Sequence, residues 1–304
     1  MKKILILLGP TGVGKTGVAL LLARELGTEI ISADSMQIYR GMDIGTAKPS
    51  RKERAEVVHH MIDIVDPTEA FNTGRYIEAV VPVIEGLHKR GKVPLIVGGT
   101  GLYIRAMTRG IFSGPSADWT LREELLSVEQ EDPGSLYSYL SEIDAVAAEK
   151  IERNDTRRVL RAIEVCLKGR DRMSSLQENL TSPLPYDFVK IGLIRERKEL
   201  YGMIDSRVDA MVREGLEEEV KRLLDLRPDR TPLQAIGYKE MAGYLRGEMT
   251  RDEALRLVKR NSRRYAKRQS TWFKKEGDIA WIDVTGVFYA EEILEMLKVH
   301  GHTD

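Results

Sequence analysis

The chain has 304 residues, in which 47 Lys and Arg are balanced by 47 Asp and Glu. This balance excludes a uniformly basic surface for nucleic acid, although a local basic patch can still bind it. Cys166 is the only cysteine, which excludes an internal disulfide and a cysteine-based zinc module. No apolar run approaches the ~20 residues of a membrane span, so we expect a cytoplasmic protein without a membrane partner. We also expect a monomer.

A glycine-rich loop lies between an apolar run at residues 4–8 and a helical pattern at residues 18–26. Strand, G-x-x-x-x-G-K-[ST] and helix together are the context of a phosphate-binding P-loop, whose commonest ligand is a nucleotide such as ATP. Backbone N–H groups would surround the phosphate, Lys15 would add a charge, and the Thr16 hydroxyl could reach Mg²⁺. The loop consists of Gly9, Pro10, Thr11, Gly12, Val13, Gly14, Lys15 and Thr16.

Further apolar runs alternate with helical patterns and predict an α/β fold with a three-layer parallel sheet. The predicted strands cover residues 29–33, part of 59–67, 93–97 and 188–194. Asp34 follows the second strand, which we expect beside the P-loop strand. Its carboxylate is a candidate metal partner, general base or simple loop cap. Strand 93–97 ends in glycines, without the acid of most P-loop ATPases and GTPases, so a conventional nucleotide hydrolase is disfavoured.

The pattern becomes helical and charged after about residue 112. It predicts a helical insertion at residues 115–186 within a P-loop core of residues 1–114 and 187–304. Arg157, Arg158 and Arg161 share one face of a predicted helix there, either as phosphate contacts or as an ordinary solvated face.

After the insertion, a single long helix is predicted over residues 198–224, and the next helix starts at Thr250. Residues 251–275 contain ten Lys or Arg and two acids, with three aromatic residues among them. So basic a segment in a neutral chain predicts a surface for a polyanion.

These motifs together resemble the bacterial tRNA dimethylallyltransferases, also called tRNA isopentenyltransferases. The stretches that carry the resemblance are residues 9–16, 34–49, 59–63, 94–103, 154–158, 236–239 and 266–273. The resemblance implies a P-loop core and transfer of a dimethylallyl group from dimethylallyl diphosphate, with Mg²⁺ as cofactor. The implied acceptor is N6 of adenosine 37 in the anticodon stem-loop of tRNAs that read codons beginning with U. Thr156-Arg157 departs from the usual Pro-Gln of the family.

The resemblance also implies residue roles. The P-loop would hold the diphosphate, with Lys15 and Thr16 acting in catalysis, Thr16 as the metal ligand and Asp34 as general base. The implied tRNA contacts lie on the loop after the second strand, at the end of strand 93–97, in the insertion and on two later segments. They are Asp34, Ser35, Met36, Gln37, Thr100, Arg122, Arg157, Arg158, Val159, Leu160, Arg161, Gln234, Ala235, Ile236, Gly237, Tyr238, Lys239, Lys267, Arg268, Gln269, Ser270, Thr271, Trp272, Phe273 and Lys274.

Allylic ionisation would place negative charge on the diphosphate, which backbone amides, Lys15 and Mg²⁺ can stabilise. Arg122 or Arg207 is a further candidate cation. Three alternatives stay open. A P-loop small-molecule kinase would turn over ATP without tRNA. An adenylate isopentenyltransferase would need neither the insertion nor the basic helix. A non-catalytic RNA-binding protein with a vestigial P-loop would not need an intact Lys15, Thr16 and Asp34.

Overall fold

A computed structural model describes residues 1–112, 114–169, 171–179 and 181–299. The chain divides into two compact units, which we call the core unit and the inserted unit. The core unit is Met1–Ile104 with Pro185–Asp304, and the inserted unit is Arg105–Leu184. The predicted boundaries were at residues 114/115 and 186/187, so the observed inserted unit starts earlier, within a helix.

In the described part of the chain, six parallel strands form one sheet of the core unit. They are β1 Lys3–Leu8, β2 Ile30–Ala33, β3 His59–His60, β4 Leu95–Gly98, β5 Asp187–Ile194 and β6 Ile279–Asp283. Their order is β3-β2-β4-β1-β5-β6. The predicted parallel α/β fold is confirmed. The expectation that the strand before Asp34 adjoins the P-loop strand is wrong, because β4 pairs with both β2 and β1.

Helices follow or connect the strands and make up most of the inserted unit. They are α1 Lys15–Glu25, α2 Arg51–Glu56, α3 Thr73–Lys89, α4 Gly101–Arg109, α5 Trp119–Glu131, α6 Ser135–Ile143, α7 Ala145–Lys150, α8 Thr156–Gly169, α9 Met173–Asn179, α10 Arg197–Arg213, α11 Leu216–Asp225, α12 Arg230–Leu233, α13 Tyr238–Leu245, α14 Arg251–Phe273 and α15 Ala290–Val299. None of the described helices is both long and apolar enough to cross a membrane.

The predicted single helix over residues 198–224 is wrong, because α10 and α11 are separate helices. Gly215 lies between them with φ +99°, a left-handed conformation that favours glycine and interrupts the helical hydrogen bonds. The prediction also omitted α12, α13, β6 and α15. In contrast, α14 begins where predicted, with the Thr250 hydroxyl accepting a hydrogen bond from the Glu253 N–H.

Buried side chains fix the elements that surround the carboxyl ends of the strands. β1 is almost fully buried, and its side chains pack with those of α1, α10 and α15. A second core joins residues of the loop after β2 to α11, α13 and the start of α14. The helix α14 packs against α10 and α13. The basic helix is therefore a structural part of the core unit.

Candidate active site

The P-loop connects β1 to α1 at the carboxyl edge of the sheet. Lys15 is the first residue of α1, and its ammonium donates to the carbonyl oxygens of Gly9 at 2.9 Å and Pro10 at 2.8 Å. The start of α1 contributes N–H groups that have no partner within the helix, and these groups attract anions. The loop thus has the charge and shape of a phosphate site.

A cavity of about 310 Å³ extends from this loop, which is in the range of small-molecule sites. One part of it is lined by Asp34, Arg207 and five P-loop residues, namely Thr11, Gly12, Gly14, Lys15 and Thr16. Apolar side chains also line the cavity, among them Ile30, Ile62, Val97 and Met203. A ligand with both a phosphate group and a small apolar group matches this lining.

A second cavity of about 280 Å³ opens beside the first. Residues 234–237, at the start of α13, line it together with Met36, Ser262 and Arg268. The two cavities share lining residues, namely Thr11, Asp34, Thr46, Arg207 and Tyr265. The Asp34 carboxylate therefore lies between the P-loop cavity and a second cavity whose lining includes no P-loop glycine.

The Asp34 carboxylate is held in a fixed orientation by its own loop. Its Oδ1 accepts hydrogen bonds from the N–H groups of Met36, at 2.8 Å, and Gln37, at 3.3 Å. Among the described residues, none donates a hydrogen bond to Oδ2. The side chain is half-buried. One oxygen is thus available to accept a proton from a ligand, as a general base requires.

Two half-buried cations share the cleft with this single carboxylate. Burial lowers the pKa of Lys15 to about 7, with a further lowering by the Arg207 charge, while Asp34 opposes both effects. Burial also lowers the pKa of Arg207, against the charges of Asp34 and Glu214. An Arg207 Nη1–H donates to the Thr11 hydroxyl at 3.4 Å. The excess positive charge would be relieved by an anionic ligand.

Thr16 is the residue predicted to hold Mg²⁺, and it lies exposed in the wall of the first cavity. The described residues contain no cluster of three or more His, Cys, Asp or Glu that could hold a metal ion. Mg²⁺ commonly keeps several waters and binds through few protein oxygens plus substrate phosphates. The Thr16 hydroxyl fits that kind of site, in which the ligand and waters complete the coordination.

Several predicted tRNA contacts line the second cavity or are exposed on the core unit. Ser35, Met36 and residues 234–237 line the cavity, and Gln37 lines the first one. The Thr100 hydroxyl accepts a hydrogen bond from the Ser35 N–H at 3.0 Å. The exposed positions are Lys239, Lys267, Arg268, Thr271 and Lys274, whereas Ser270 and Trp272 are half-buried.

Other predicted contacts have side chains inside a core, so a tRNA contact through those side chains is wrong. Val159 and Leu160 belong to the core of the inserted unit, and Phe273 is fully buried. Tyr238 is also fully buried, and its hydroxyl donates to the Glu219 carboxylate at 2.5 Å. The Ala235 side chain is buried as well, although the residue borders the second cavity. The apolar periodicity of the sequence predicts such burial, but the resemblance to the family led us to predict tRNA contacts at these positions instead.

Arg122 is also used differently from the prediction, within the inserted unit. Its Nε–H and one Nη2–H donate to the two oxygens of Glu164 at 2.9 and 2.7 Å. Arg161 donates to the same carboxylate, whereas Arg157 and Arg158 are exposed. Two of the predicted contacts therefore stabilise a buried Glu164.

The charges of α14 fall on two faces. Arg263 and Lys259 form ion pairs with Asp205, at 2.5 Å, and Asp209, at 2.6 Å, both on α10. Arg264 and Lys267 are exposed and form no ion pair among the described residues. We call the exposed set of Arg260, Arg264, Lys267, Arg268 and Lys274 the outer face. Among the described residues, no ion pair neutralises the charges of the outer face. Lys259 and Arg263, which form what we call the inner face, are neutralised by the two acids of α10.

A P-loop, a carboxylate in the same cleft and a cationic helix face on this fold are the features of an α/β enzyme of the P-loop class. The family described as IPP transferase matches residues 37–276, which is most of the chain. The chain belongs to the IPP transferase family, which confirms the family resemblance of the sequence.

Curated relatives cover nearly the whole chain. A tRNA dimethylallyltransferase of Thermodesulfovibrio yellowstonii is 56% identical over 303 residues, covering 97% of this chain and 96% of the relative. One from Thermotoga maritima is 47% identical, with 93% of each chain covered.

Solved structures show the same fold. The tRNA isopentenylpyrophosphate transferase of Bacillus halodurans has a TM-score of 0.74 at 43% identity, covering 100% of this chain and 97% of that one. A eukaryotic dimethylallyltransferase acting on tRNA has a TM-score of 0.78 at 29% identity, covering 99% and 80%.

Proposed function

We propose that this chain transfers a dimethylallyl group from dimethylallyl diphosphate to N6 of adenosine 37 in tRNAs that read codons beginning with U. The names of its relatives support prenyl transfer to tRNA. The structural observation that carries the proposal is the place of Asp34, in the wall shared by the P-loop cavity and the second cavity. This arrangement suits a donor and an acceptor that approach one carboxylate from two sides.

The leaving group would lie in the P-loop cavity. Breaking the allylic C–O bond places negative charge on the diphosphate, and fixed donors stabilise that charge as it develops. Lys15, Arg207 and the N–H groups at the start of α1 are such donors. Thr16 would hold Mg²⁺ together with the diphosphate oxygens, and this ion would add positive charge at the leaving group.

The acceptor nitrogen would enter from the second cavity. An adenine amino group is a weak nucleophile until it loses a proton, and the Asp34 carboxylate, which lines both cavities and is bonded through Oδ1 alone among the described residues, would accept that proton. The base must leave its stack to reach the cavity, which costs a few kcal/mol. Contacts of tRNA phosphates with the outer face of α14 would offset this cost.

Labelled dimethylallyl diphosphate separates this proposal from its alternatives. We expect label transfer to tRNA, none to AMP, and no ATP turnover in the absence of tRNA. Transfer to AMP would indicate an adenylate isopentenyltransferase, and tRNA-independent ATP turnover a kinase. Binding of tRNA without transfer would indicate a non-catalytic RNA-binding protein. A cytoplasmic location and a monomeric state belong to the same proposal, since free tRNA is the acceptor.

A further inference from the structure

Gln269 occupies an unexpected position on α14. The family resemblance implies that it contacts tRNA, yet its side chain is only 6% exposed. Its Oε1 accepts a hydrogen bond from the Thr11 N–H of the P-loop at 2.8 Å. Its Nε2 donates to the carbonyl oxygen of Gly99, just after β4, also at 2.8 Å. The amide thus connects the basic helix to two strand-end loops.

The chemistry of both bonds requires a neutral amide. One partner is a donor and the other an acceptor, so a carboxylate could satisfy only the Thr11 N–H, while adding a negative charge beside the P-loop. The backbone is also shaped for this side chain. A Cβ on Gly99 would lie 2.3 Å from Nε2 of Gln269, so glycine is needed there to admit the amide.

A neighbouring side chain on α14 extends the connection to the Asp34 loop. Tyr265, one turn before Gln269, lines both cavities together with Asp34, and Thr100 follows the strand end that Gln269 contacts. Thr100 in turn accepts the Ser35 N–H. One face of α14 therefore contacts the P-loop and the end of β4, and it borders the cavities that Asp34 lines.

We propose that Gln269 is a positioning residue that sets the P-loop for diphosphate from the basic helix and makes no contact with tRNA itself. The inference rests on the proposed function. Lys267 and Arg268, immediately before Gln269, are exposed on the outer face and serve tRNA. Gln269 then controls the affinity for the diphosphate, whereas Lys267 and Arg268, on the outer face of the same helical turn, control the affinity for tRNA.

Two variants test the role of Gln269 from opposite sides. Gln269→Met keeps a similar volume and removes both hydrogen bonds. Gly99→Ala leaves α14 unchanged and displaces the amide from the sheet side. We expect each to weaken binding of inorganic diphosphate with Mg²⁺ about tenfold, because buried polar partners lose their bonds. The affinity for tRNA should stay within about twofold, and the KM for dimethylallyl diphosphate should rise more than the KM for tRNA.

Gln269→Glu adds a readout that loss of packing would not produce. It keeps the acceptor for Thr11, but its charge should weaken diphosphate binding more than Gln269→Met does, and by more than the difference in thermal stability between the two variants accounts for. Lys267→Gln is the matched variant on the outer face and should give the opposite split, with weaker tRNA binding and unchanged diphosphate binding.

Weaker tRNA binding with normal diphosphate binding in the Gln269 variants would overturn the inference, as would normal binding of both ligands. The proposed function fails separately, if the wild-type chain transfers no label to tRNA. The diphosphate titration needs no turnover, so the two failures are distinguishable.

Discussion

Two sets of cations, one in each unit, are used in opposite ways. In the inserted unit, Arg122 and Arg161 donate to Glu164, whose side chain is fully buried, and the Asp118 N–H donates to it as well. In the core unit, Lys15 and Arg207 share the cleft with one carboxylate that is partly open to solvent. Folding neutralises the first set and leaves the second for a ligand. The difference lies in the acid that each set can reach. The arginines of the inserted unit surround the buried Glu164, whereas the cations of the cleft have only the partly exposed Asp34.

The largest expected effect comes from removing the carboxylate of the cleft. Asp34→Ala should fold and bind tRNA but lose turnover by about 10²–10⁴-fold, since proton transfer in the transition state contributes that much. Single-turnover rates with saturating tRNA measure this loss. Full activity in the variant would refute the assignment of Asp34 as general base.

Removing the Glu164 carboxylate from the inserted unit should lower stability and leave the cleft unaffected. Glu164→Gln should destabilise that unit by about 2–3 kcal/mol, because charge-assisted hydrogen bonds are lost, and leave diphosphate binding unchanged. Faster hydrogen exchange confined to residues 105–184 would show it. A variant with unchanged exchange would mean that the arginines do not depend on Glu164.

The same carboxylate should make the inserted unit sensitive to acid. Burial would raise the pKa of Glu164, but hydrogen bonds from Arg122, Asp118 N–H and Arg161 outweigh it and lower the pKa below 4.5. A lowered folded pKa gives stability that is present above pH 4.5 and is lost as pH falls through the folded pKa. Glu164→Gln should therefore flatten the loss of exchange protection in acid.

The cleft should respond to pH in the neutral range. The pKa of Lys15 is about 7, so the ammonium is lost as pH rises above that value, and diphosphate affinity should fall by up to about tenfold per pH unit. Arg207→Gln removes a charge that lowers this pKa and should move the midpoint upward. Both proteins experience the same titration of the ligand itself, so comparing them isolates the contribution of Lys15. Identical midpoints would contradict the coupling.

The smallest effect concerns the two faces of α14. Changing Lys267 and Arg268 together to Gln should raise the KM for tRNA and lower the slope of log affinity against log salt by about 1 per lost phosphate contact. The matched control is Lys259→Gln with Arg263→Gln on the inner face, where Asp209 and Asp205 already neutralise the charges. Equal slope changes in both double variants would place the tRNA surface elsewhere.

Local sequence patterns were sufficient to predict the elements that are encoded by a few neighbouring residues. The P-loop, the helical insertion and the start of α14 follow from glycine spacing, apolar period and a cap. The order of the strands does not, because β4 enters between β1 and β2 through long crossovers that no local pattern encodes. The break at Gly215 was missed because apolar residues continue at helical spacing on both sides of it.

The candidate site was predictable in its residue types and less so in their orientation. Lys15 and Asp34 line one cleft because the P-loop and Asp34 follow parallel strands that end at the same edge, and α10 adds Arg207 to it. The inward position of Gln269 and the use of Arg122 within the inserted unit depend on partners far away in the chain. The spacing of residues along the sequence cannot identify such distant partners.

The position of β1 at the centre of the sheet has a consequence for how the chain is synthesised. β1 pairs with β5 in a register that joins Lys3 to Asp187, so one edge of this apolar strand stays open until the whole inserted unit has been made. Unpaired apolar edges promote aggregation, and distant pairings fold slowly. We therefore expect nascent chains that end before residue 187 to depend on chaperones, and the sheet to close only late in folding.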